Sequence, residues 1–237
     1  MRARLAVSLL AAAVVWPGAV YAYRPFDSTD AAVADNGAFE VELSPLSYRH
    51  DDDGAAWIAP SARFNYGFAE DWEAVLEGQA EHFSNLPSRL TQAALSVKGV
   101  LQAGSLQEKD GWSLATEASA LLPGIHADDG AGFELTGIAS RRWGWGTIHV
   151  NIAAELTRGQ RLGTFAGLIV EGPDAWTVRP VAEANYQREF SISEETSFLL
   201  GAIWRVRDRL AFDIGFRHAW VDSRPDDQIR AGLTFDL

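Results

Sequence analysis

The sequence predicts an all-β fold, a transmembrane antiparallel up-and-down β-barrel of about twelve strands after a cleaved signal peptide. The first observation is a two-residue period in segments of about ten residues. Within 209–220, Phe212, Ile214 and Phe216 alternate with charged or small residues such as Asp213. Because successive strand residues face opposite sides of a sheet, one face is apolar and the other is charged. An export signal and many aromatic residues at strand ends distinguish this pattern from that of a soluble sandwich.

The N-terminus has the three parts of a secretory signal. Arg2 and Arg4 form the positive start, 5–15 is apolar, and 20–22 (Val-Tyr-Ala) is a small-residue cleavage site. The apolar stretch is too short for a transmembrane anchor. We therefore expect cleavage after Ala22, which leaves 215 residues of the 237 in the mature chain.

Composition restricts the function classes. The chain has no cysteine, which excludes a lipoprotein, disulfides, thiolate metal sites and a thiol nucleophile. The net charge is −12, and removal of Arg2 and Arg4 with the signal takes away two positive charges and leaves −14. Such a charge argues against nucleic acid as a partner. After the signal, no apolar run is long enough for a membrane-spanning helix, and the remaining length fits one domain.

Twelve alternating segments follow a polar lead-in at 23–37, which we predict to be a short periplasmic segment or a partial plug. The predicted barrel covers 38–237. Its strands are 38–48, 56–66, 72–82, 90–102, 112–122, 132–142, 147–156, 162–171, 176–187, 196–206, 209–220 and 228–237. Pro60 weakens the second strand, because proline cannot donate to a β-ladder. Counts of ten or fourteen strands remain as alternatives.

The turns predict an orientation. An even number of strands places both termini in the periplasm. The periplasmic turns are then the short 67–71, 143–146, 172–175 and 207–208, with 103–111 as the longer exception, and the acidic loops at 51–53, 128–129, 194–195 and 226–227 face the cell surface. Six tryptophans lie near the periplasmic strand ends (Trp72, Trp112, Trp143, Trp145, Trp176 and Trp204), and Trp57 and Trp220 lie near the other rim. Two aromatic rings are typical of membrane interfaces.

The charged face of the strands predicts the lining of the lumen. The candidates are Glu73, Glu77, Lys98, Glu117, Arg142, His149, Asn151, Glu155, Arg179, Glu183, Arg205, Asp213, Arg217 and Arg230. In one interpretation, acidic and basic side chains pair across the bore and stabilise the barrel. In the other, acids on strands three to five face arginines on strands nine to twelve, and the resulting transverse field orients dipolar solutes. Pairing is favoured, because a narrow bore brings facing charges together.

An enzyme would need a nucleophile and a base. Ser140 and His149 fall side by side on the hairpin of strands six and seven, and Asn151 follows two residues later. Their parity places all three on the lumen face, which lipid esters do not reach. A hydrogen-bonded network with Glu155 and Arg142 is the alternative. The sequence therefore predicts no catalytic residues, and it predicts neither a metal site nor a cofactor.

Several stretches together resemble the "putative MetA-pathway of phenol degradation" family of outer-membrane proteins. They are Arg24-Pro25 with Thr29-Asp30, 37–43 (GAFEVEL), 64–68 (FNYGF) with 71–73 (DWE), 121–124 (LLPG), 149–152 (HVNI), 200–205 (LGAIWR) and 210–215 (LAFDIG). The resemblance implies a barrel that takes up small, often hydrophobic molecules, and it assigns no functional residues. One departure is the C-terminus, where Leu237 replaces the usual terminal Phe.

These inferences predict a cell outer-membrane barrel that passes or binds a small solute, which the resemblance suggests is hydrophobic or aromatic. The expected partners are outer-membrane lipid, lipopolysaccharide, the barrel-assembly machinery and the solute. A non-transporting structural barrel with a plugged lumen is the first alternative. An outer-membrane lipid hydrolase that uses Ser140 is the second.

Overall fold

The computed structural model describes residues 24–52, 54–83, 87–126 and 130–237. These residues form twelve strands: β1 Phe39–Asp51, β2 Gly54–Ala69, β3 Trp72–Phe83, β4 Arg89–Gln102, β5 Ser113–Leu121, β6 Gly132–Trp143, β7 Gly146–Leu156, β8 Leu162–Glu171, β9 Val178–Glu189, β10 Ser193–Arg207, β11 Leu210–Val221 and β12 Arg224–Asp236. Each strand pairs antiparallel with its sequence neighbours, and β1 also pairs with β12, so the sheet is closed. The predicted twelve-stranded antiparallel barrel is confirmed.

Some predicted features lie outside the described residues. They are the signal peptide at 1–22, Tyr23, the third aspartate of the loop at 51–53, and Asp128-Asp129. Among the described residues, no helix has the length and apolar character needed to cross a membrane.

The barrel is apolar outside and polar inside. Leu200 and Ile152 on its outer face are 69% and 63% exposed, whereas Lys98 and Glu73 on its inner face are 0% and 1% exposed. Soluble proteins bury apolar side chains and expose charges. The reversed distribution is the one that hydrocarbon outside and polar groups inside would favour.

Two prolines interrupt the ladders near one side of the barrel. The register between β1 and β12 shifts between Leu43 and Leu46, around Pro45. The register between β2 and β3 shifts between Ile58 and Ser61, around Pro60. A bulge accommodates a residue that has no N–H for the ladder, so β2 continues through Pro60.

The first residues of β9 and β12 differ from the predicted ones, because apolar and polar residues do not alternate there. β12 begins at Arg224 rather than 228, because Arg224 pairs with Val221 and Pro225 with Trp220 across a tight turn. β9 begins at Val178 rather than 176, since the chain first turns through a Trp176 N–H to Pro173 carbonyl bond. Neither feature is visible in a two-residue period.

We call the rim where β1 begins and β12 ends the near rim, and the opposite rim the far rim. The six tryptophans predicted for one end lie at or beside near-rim strand ends, and Trp57 and Trp220 lie near the far rim. Trp143 stacks on Trp145 with ring centroids 5.4 Å apart and meets the edge of Trp112 at 5.9 Å. The aromatic residues therefore form one band at each rim.

The connection between β4 and β5 is the longest at the near rim. It contains a short 3₁₀ turn, Ser105–Gln107, and its Leu106 is buried. The Arg142 N–H donates to Ser105 Oγ at 2.8 Å, so the connection folds against β6. Its length is explained by this inward fold.

Candidate functional site

A segment of the chain lies inside the barrel. Residues 24–37, which we call the internal segment, run from Gly37 at the near rim to Arg24 in the middle of the bore. The Gly37 N–H donates a hydrogen bond to the Gly67 carbonyl at 2.7 Å. The Arg24 guanidinium donates to Ser61 Oγ on β2 at 3.2 Å and lies 3.7 Å from the Asp213 carboxylate on β11. The Arg24 end of the segment thus contacts the side of the barrel that runs from β11 through β12 and β1 to β2.

Side chains of the wall satisfy the backbone of the internal segment. The segment has no helix or ladder of its own to do so, and buried backbone groups require partners. Glu183 accepts the N–H groups of Asp27 and Ser28 at 2.9 and 2.7 Å. Asn151 accepts the Thr29 N–H at 3.1 Å and donates to the Thr29 carbonyl at 2.7 Å, which fixes the backbone of Thr29 on both sides of its Cα.

The same pattern continues towards the near rim. Ser140 Oγ accepts the Ala31 N–H at 2.9 Å, and Glu73 accepts the Ala34 N–H at 2.7 Å. The Gln107 amide of the β4–β5 connection donates to the Ala31 carbonyl at 2.8 Å. The internal segment and this connection therefore occupy the near-rim part of the lumen together.

Ion pairs hold two of the three acidic side chains of the internal segment, Asp27 and Asp30. Asp27 bridges Arg217 and Arg230, with one carboxylate oxygen 2.7 Å from Arg217 Nε and the other 2.6 Å from Arg230. Asp30 lies 3.5 Å from Lys98 Nζ, which is also 3.6 Å from Glu73. Buried lysine is rare unless it is paired. The internal segment supplies part of that pairing.

The protonation of Asp27 follows from these contacts. Burial alone would raise the pKa of this carboxyl, but the positive charges of Arg230 and Arg217 outweigh burial and hold its pKa below the ordinary value. Asp27 is therefore an anion at neutral pH.

Four interior glycines make room for the internal segment. A Cβ on Gly67 would lie 2.2 Å from the Asp35 carbonyl oxygen, and one on Gly167 would lie 2.0 Å from Ser28 Oγ. A Cβ on Gly215 would lie 2.9 Å from Pro25, and one on Gly232 would lie 2.4 Å from Arg24 Nε. Glycine within a strand often marks a close approach of another backbone. At these four positions the absence of a Cβ allows the internal segment to lie directly against the barrel wall.

The internal segment separates two spaces. Towards the far rim lies a cavity of about 770 Å³, which we call the far-rim cavity. Towards the near rim lies a pocket of about 10 Å³ beside Asp30 and Leu106, too small for a solute. The far-rim cavity has Phe26 and Asp27 on its floor. A solute that enters from the far rim would therefore reach the far-rim cavity, and the internal segment would block its path to the near rim.

The structure places the predicted lumen residues on the inner side of the barrel, in three groups and one outlying residue. Glu77, Glu117, Asn151, Glu155, Arg217 and Arg230 line the far-rim cavity. Arg142, His149 and Arg179 line the small pocket. Glu73, Lys98, Glu183 and Asp213 contact the internal segment. Arg205 lies at the near rim, where its guanidinium is 2.7 Å from Asp174.

Most of these charges are paired. Arg63, which the sequence prediction did not select, lies 2.8 Å from Glu77 and 3.2 Å from Glu117. At the near rim, Asp174 lies 2.7 Å from both Arg179 and Arg205. The geometry favours the pairing interpretation over a simple field between an acidic and a basic wall. Arg63 follows the parity of β2, so the period of that strand could have identified it.

One group of acids has no arginine or lysine within ion-pair distance in the described residues. Glu134 and Glu155 are directly paired across β6 and β7, and Glu189 follows on β9, with Gly163 of β8 between it and Glu155. Thr136, Gln187 and Thr157 donate hydrogen bonds to the three carboxylates in turn. Arg158 of the β7–β8 connection lines the far-rim cavity beside these acids, and the remaining arginines of its lining lie on the β10–β2 side together with Glu42, Glu195 and Asp226.

Ser140 and His149 are in contact, with Ser140 Oγ 2.8 Å from His149 Nδ1. His149 Nε2 lies 3.3 Å from Glu171 rather than facing Asn151, which binds the internal segment. Ser140 is 0% exposed, and its Oγ accepts the Ala31 N–H. A substrate cannot approach this serine while the internal segment is in place. The bond from the Ala31 N–H to Ser140 therefore anchors the internal segment. The network predicted with Glu155 forms instead with Glu171, which His149 contacts.

Comparisons with known proteins agree with this architecture. Similar solved structures include the COG4313 outer membrane channel from Pseudomonas putida F1 (9% identity, 90% of this chain and 100% of that chain, TM-score 0.65), the NanC porin (10% identity, 84% and 100%, TM-score 0.60) and the KdgM porin (9% identity, 83% and 98%, TM-score 0.58). At these identities the likeness establishes a shared barrel fold.

Sequence comparisons give no further assignment. No family model matches the chain, so the resemblance to the MetA-pathway family is not confirmed. No curated protein matches it either.

Proposed function

We propose that this chain is an outer-membrane channel for a small solute, closed in the described state by its own internal segment. The observation that carries the proposal is the lumen: a closed barrel, apolar outside, encloses a cavity of about 770 Å³ lined mainly by polar and charged side chains. Solute sites in barrels of this size are built from such inward-facing residues. The solved neighbours, which are channels and porins by name, support this class.

The proposal includes a location and an orientation. The N-terminal signal, the outward apolar face and the two aromatic bands support export and insertion into the outer membrane, with lipid and lipopolysaccharide around the barrel. The near rim then faces the periplasm and the far-rim cavity faces the outside.

The lining supports a hydrophilic or charged solute over a purely hydrophobic one. Carboxylates and guanidiniums dominate the wall of the far-rim cavity, and Phe26, Phe165 and Ile58 are among its few large apolar residues. A ring-bearing solute with a charged group would match both kinds of surface. The resemblance to the MetA-pathway family, with its aromatic solutes, remains part of the proposal.

A second candidate is a structural barrel that passes nothing. The internal segment favours it, because its backbone is bound at several points between Asp27 and Ala34. A gated channel differs from such a barrel in that its plug is released under some condition.

Recordings in planar lipid bilayers test the proposal. The purified mature chain is compared with a variant that lacks residues 24–35 and keeps β1 intact. We expect rare, small openings from the complete chain and steady, larger openings from the variant, since the deletion removes the segment that separates the far-rim cavity from the near rim and leaves only the β4–β5 connection there. A silent variant that still migrates as a folded, heat-modifiable barrel would contradict a channel and support the structural alternative.

A further inference from the structure

The Asp27 carboxylate occupies a site that is built for a carboxylate. Three donors converge on it: Arg217 Nε at 2.7 Å, Arg230 at 2.6 Å and the Asn185 amide at 3.1 Å. Two guanidiniums on one carboxylate is the arrangement that proteins use to recognise acids. The donors belong to β9, β11 and β12, whereas the acceptor belongs to the internal segment.

The donors are held in place independently of Asp27. Ser197 Oγ donates to the Asn185 amide oxygen at 2.7 Å, which leaves the Asn185 NH₂ group facing Asp27. Arg217 is also bound by Glu195, and Arg230 Nε donates to Gln228 at 2.9 Å. Arg230 also donates to the Pro25 carbonyl of the internal segment at 2.8 Å, whereas the wall contacts of Asn185, Arg217 and Arg230 Nε remain when the acceptor changes.

The charge of the site changes when Asp27 leaves. Arg217 and Arg230 carry two positive charges, and Glu195 supplies one negative charge on Arg217. Nearby Glu183 is occupied by two backbone N–H groups of the internal segment. Without the Asp27 carboxylate, Arg217 and Arg230 lose the anion that they share, and Glu195 remains on Arg217 alone, so another carboxylate can take the vacated place.

The site is open to solutes. The Asp27 side chain is 25% exposed, and Asp27, Asn185, Arg217 and Arg230 all border the far-rim cavity. A small acid in that cavity can therefore approach the guanidiniums that Asp27 binds. The remaining cavity volume accommodates the body of the acid, and Glu134, Glu155 and Glu189 on the β6–β9 wall line the same cavity.

We propose that Arg217, Arg230 and Asn185 form a binding subsite for the carboxylate of a small organic acid, that Asp27 fills this subsite as an internal competitor, and that solute binding displaces Asp27 and loosens the internal segment. The idea rests on the proposed function, since it names the solute class and the opening step of that channel. An intramolecular competitor acts at an effective concentration in the millimolar range, so tens of millimolar solute are needed to displace it.

Thiol labelling tests the displacement directly. The chain contains no cysteine, so Ala32→Cys places a single thiol on a buried part of the internal segment. The rate at which a charged maleimide labels detergent-solubilised protein then reports release of the segment. Sodium benzoate at about 50 mM should raise this rate at least about threefold, and neutral benzamide at the same concentration and ionic strength should leave it unchanged.

Matched variants locate the effect. In the Ala32→Cys background, Asp27→Asn should raise the basal labelling rate about tenfold or more, because charge-assisted hydrogen bonds are lost, and benzoate should then add little. Asp174→Asn is the control, since Asp174 also bridges two arginines but lies outside the internal segment. It should label like the parent.

Two results would overturn the subsite: equal effects of benzoate and benzamide, or a parental labelling rate in Asp27→Asn. The assay uses no membrane and no current, so it fails separately from the channel proposal. A barrel that conducts but ignores benzoate in labelling keeps the channel and loses the subsite. A barrel that responds to benzoate in labelling but never conducts keeps the subsite and loses the channel.

Discussion

Gly67→Ala is expected to displace the near-rim part of the internal segment. The new Cβ would lie 2.2 Å from the Asp35 carbonyl oxygen and 2.4 Å from that of Ala34, where ordinary contact begins at 3.4 Å. Both atoms belong to the backbone, so no side-chain rotation relieves the overlap. The segment must move by about 1 Å to reach van der Waals distance.

A shift of this size removes identifiable bonds. The Ala34 N–H donates to Glu73 at 2.7 Å, and the Gly37 N–H donates to the Gly67 carbonyl at 2.7 Å. A hydrogen bond to a carboxylate contributes about 1.5–3 kcal/mol and a neutral one about 1 kcal/mol. We therefore expect docking of the internal segment to become less favourable by about 2–4 kcal/mol, which lowers the docking equilibrium constant by about 30- to 1000-fold.

Hydrogen exchange of the peptide that covers 24–37 measures this change. Its amides should exchange faster in Gly67→Ala by about the same factor, because exchange follows the population of the released segment. Gly78→Ala is the matched control: Gly78 lies on the adjacent strand β3, away from the internal segment, and its nearest neighbour would be 3.7 Å from the added Cβ. Unchanged exchange in Gly67→Ala, or equal acceleration in both variants of intact barrels, would refute the reasoning.

Three further predictions follow from the same contacts. Lys98→Met removes the ammonium beside Glu73 and Asp30. It should lower the free energy of unfolding by about 3–5 kcal/mol, measured by urea titration in detergent. A loss smaller than that caused by the same substitution at an exposed lysine would contradict this prediction. Because the pKa of Asp27 is lowered in the folded chain, its contribution to docking is complete above the ordinary value of about 3.9 and is lost as pH falls through the lowered pKa. Since the thiolate is the reacting form, the labelling rate of the internal segment is divided by that of a free cysteine peptide at the same pH, and this ratio should be constant from pH 7 to about 4 and rise only below that. Labelling that rises near pH 6 would contradict this assignment. Finally, Ser140→Ala should not change the hydrolysis of a p-nitrophenyl ester, because Ser140 Oγ is buried against the internal segment; activity that disappears with this substitution would revive the hydrolase.

The strands could be predicted from the sequence because their information is local. The alternation in β11 separates Ile214 outside from Asp213 inside without reference to any other strand. The same parity selects interior residues on each wall, and tryptophans at strand ends indicate the rims. Closure then follows, because an open edge in lipid would leave backbone groups unpaired.

The path of the internal segment could not be predicted in this way. Residues 24–37 have no period, and Asp27 meets Arg217 and Arg230 across almost the whole length of the chain. Charge parity identifies the arginines but not their acceptor. One local signal did exist: Gly167 and Gly215 leave gaps on the inner face of otherwise regular strands, as expected where another backbone approaches.

The central claim is that the two faces of each strand meet hydrocarbon and lumen, respectively. Nitroxide scanning along β11 tests it, since single cysteines can be placed at Phe212, Asp213, Ile214, Gly215 and Phe216 of a cysteine-free chain reconstituted in lipid vesicles. The account predicts collision rates with lipid-soluble oxygen that peak at Phe212, Ile214 and Phe216 and fall at the two positions between them. Equal access of a water-soluble relaxing agent to all five positions would contradict it.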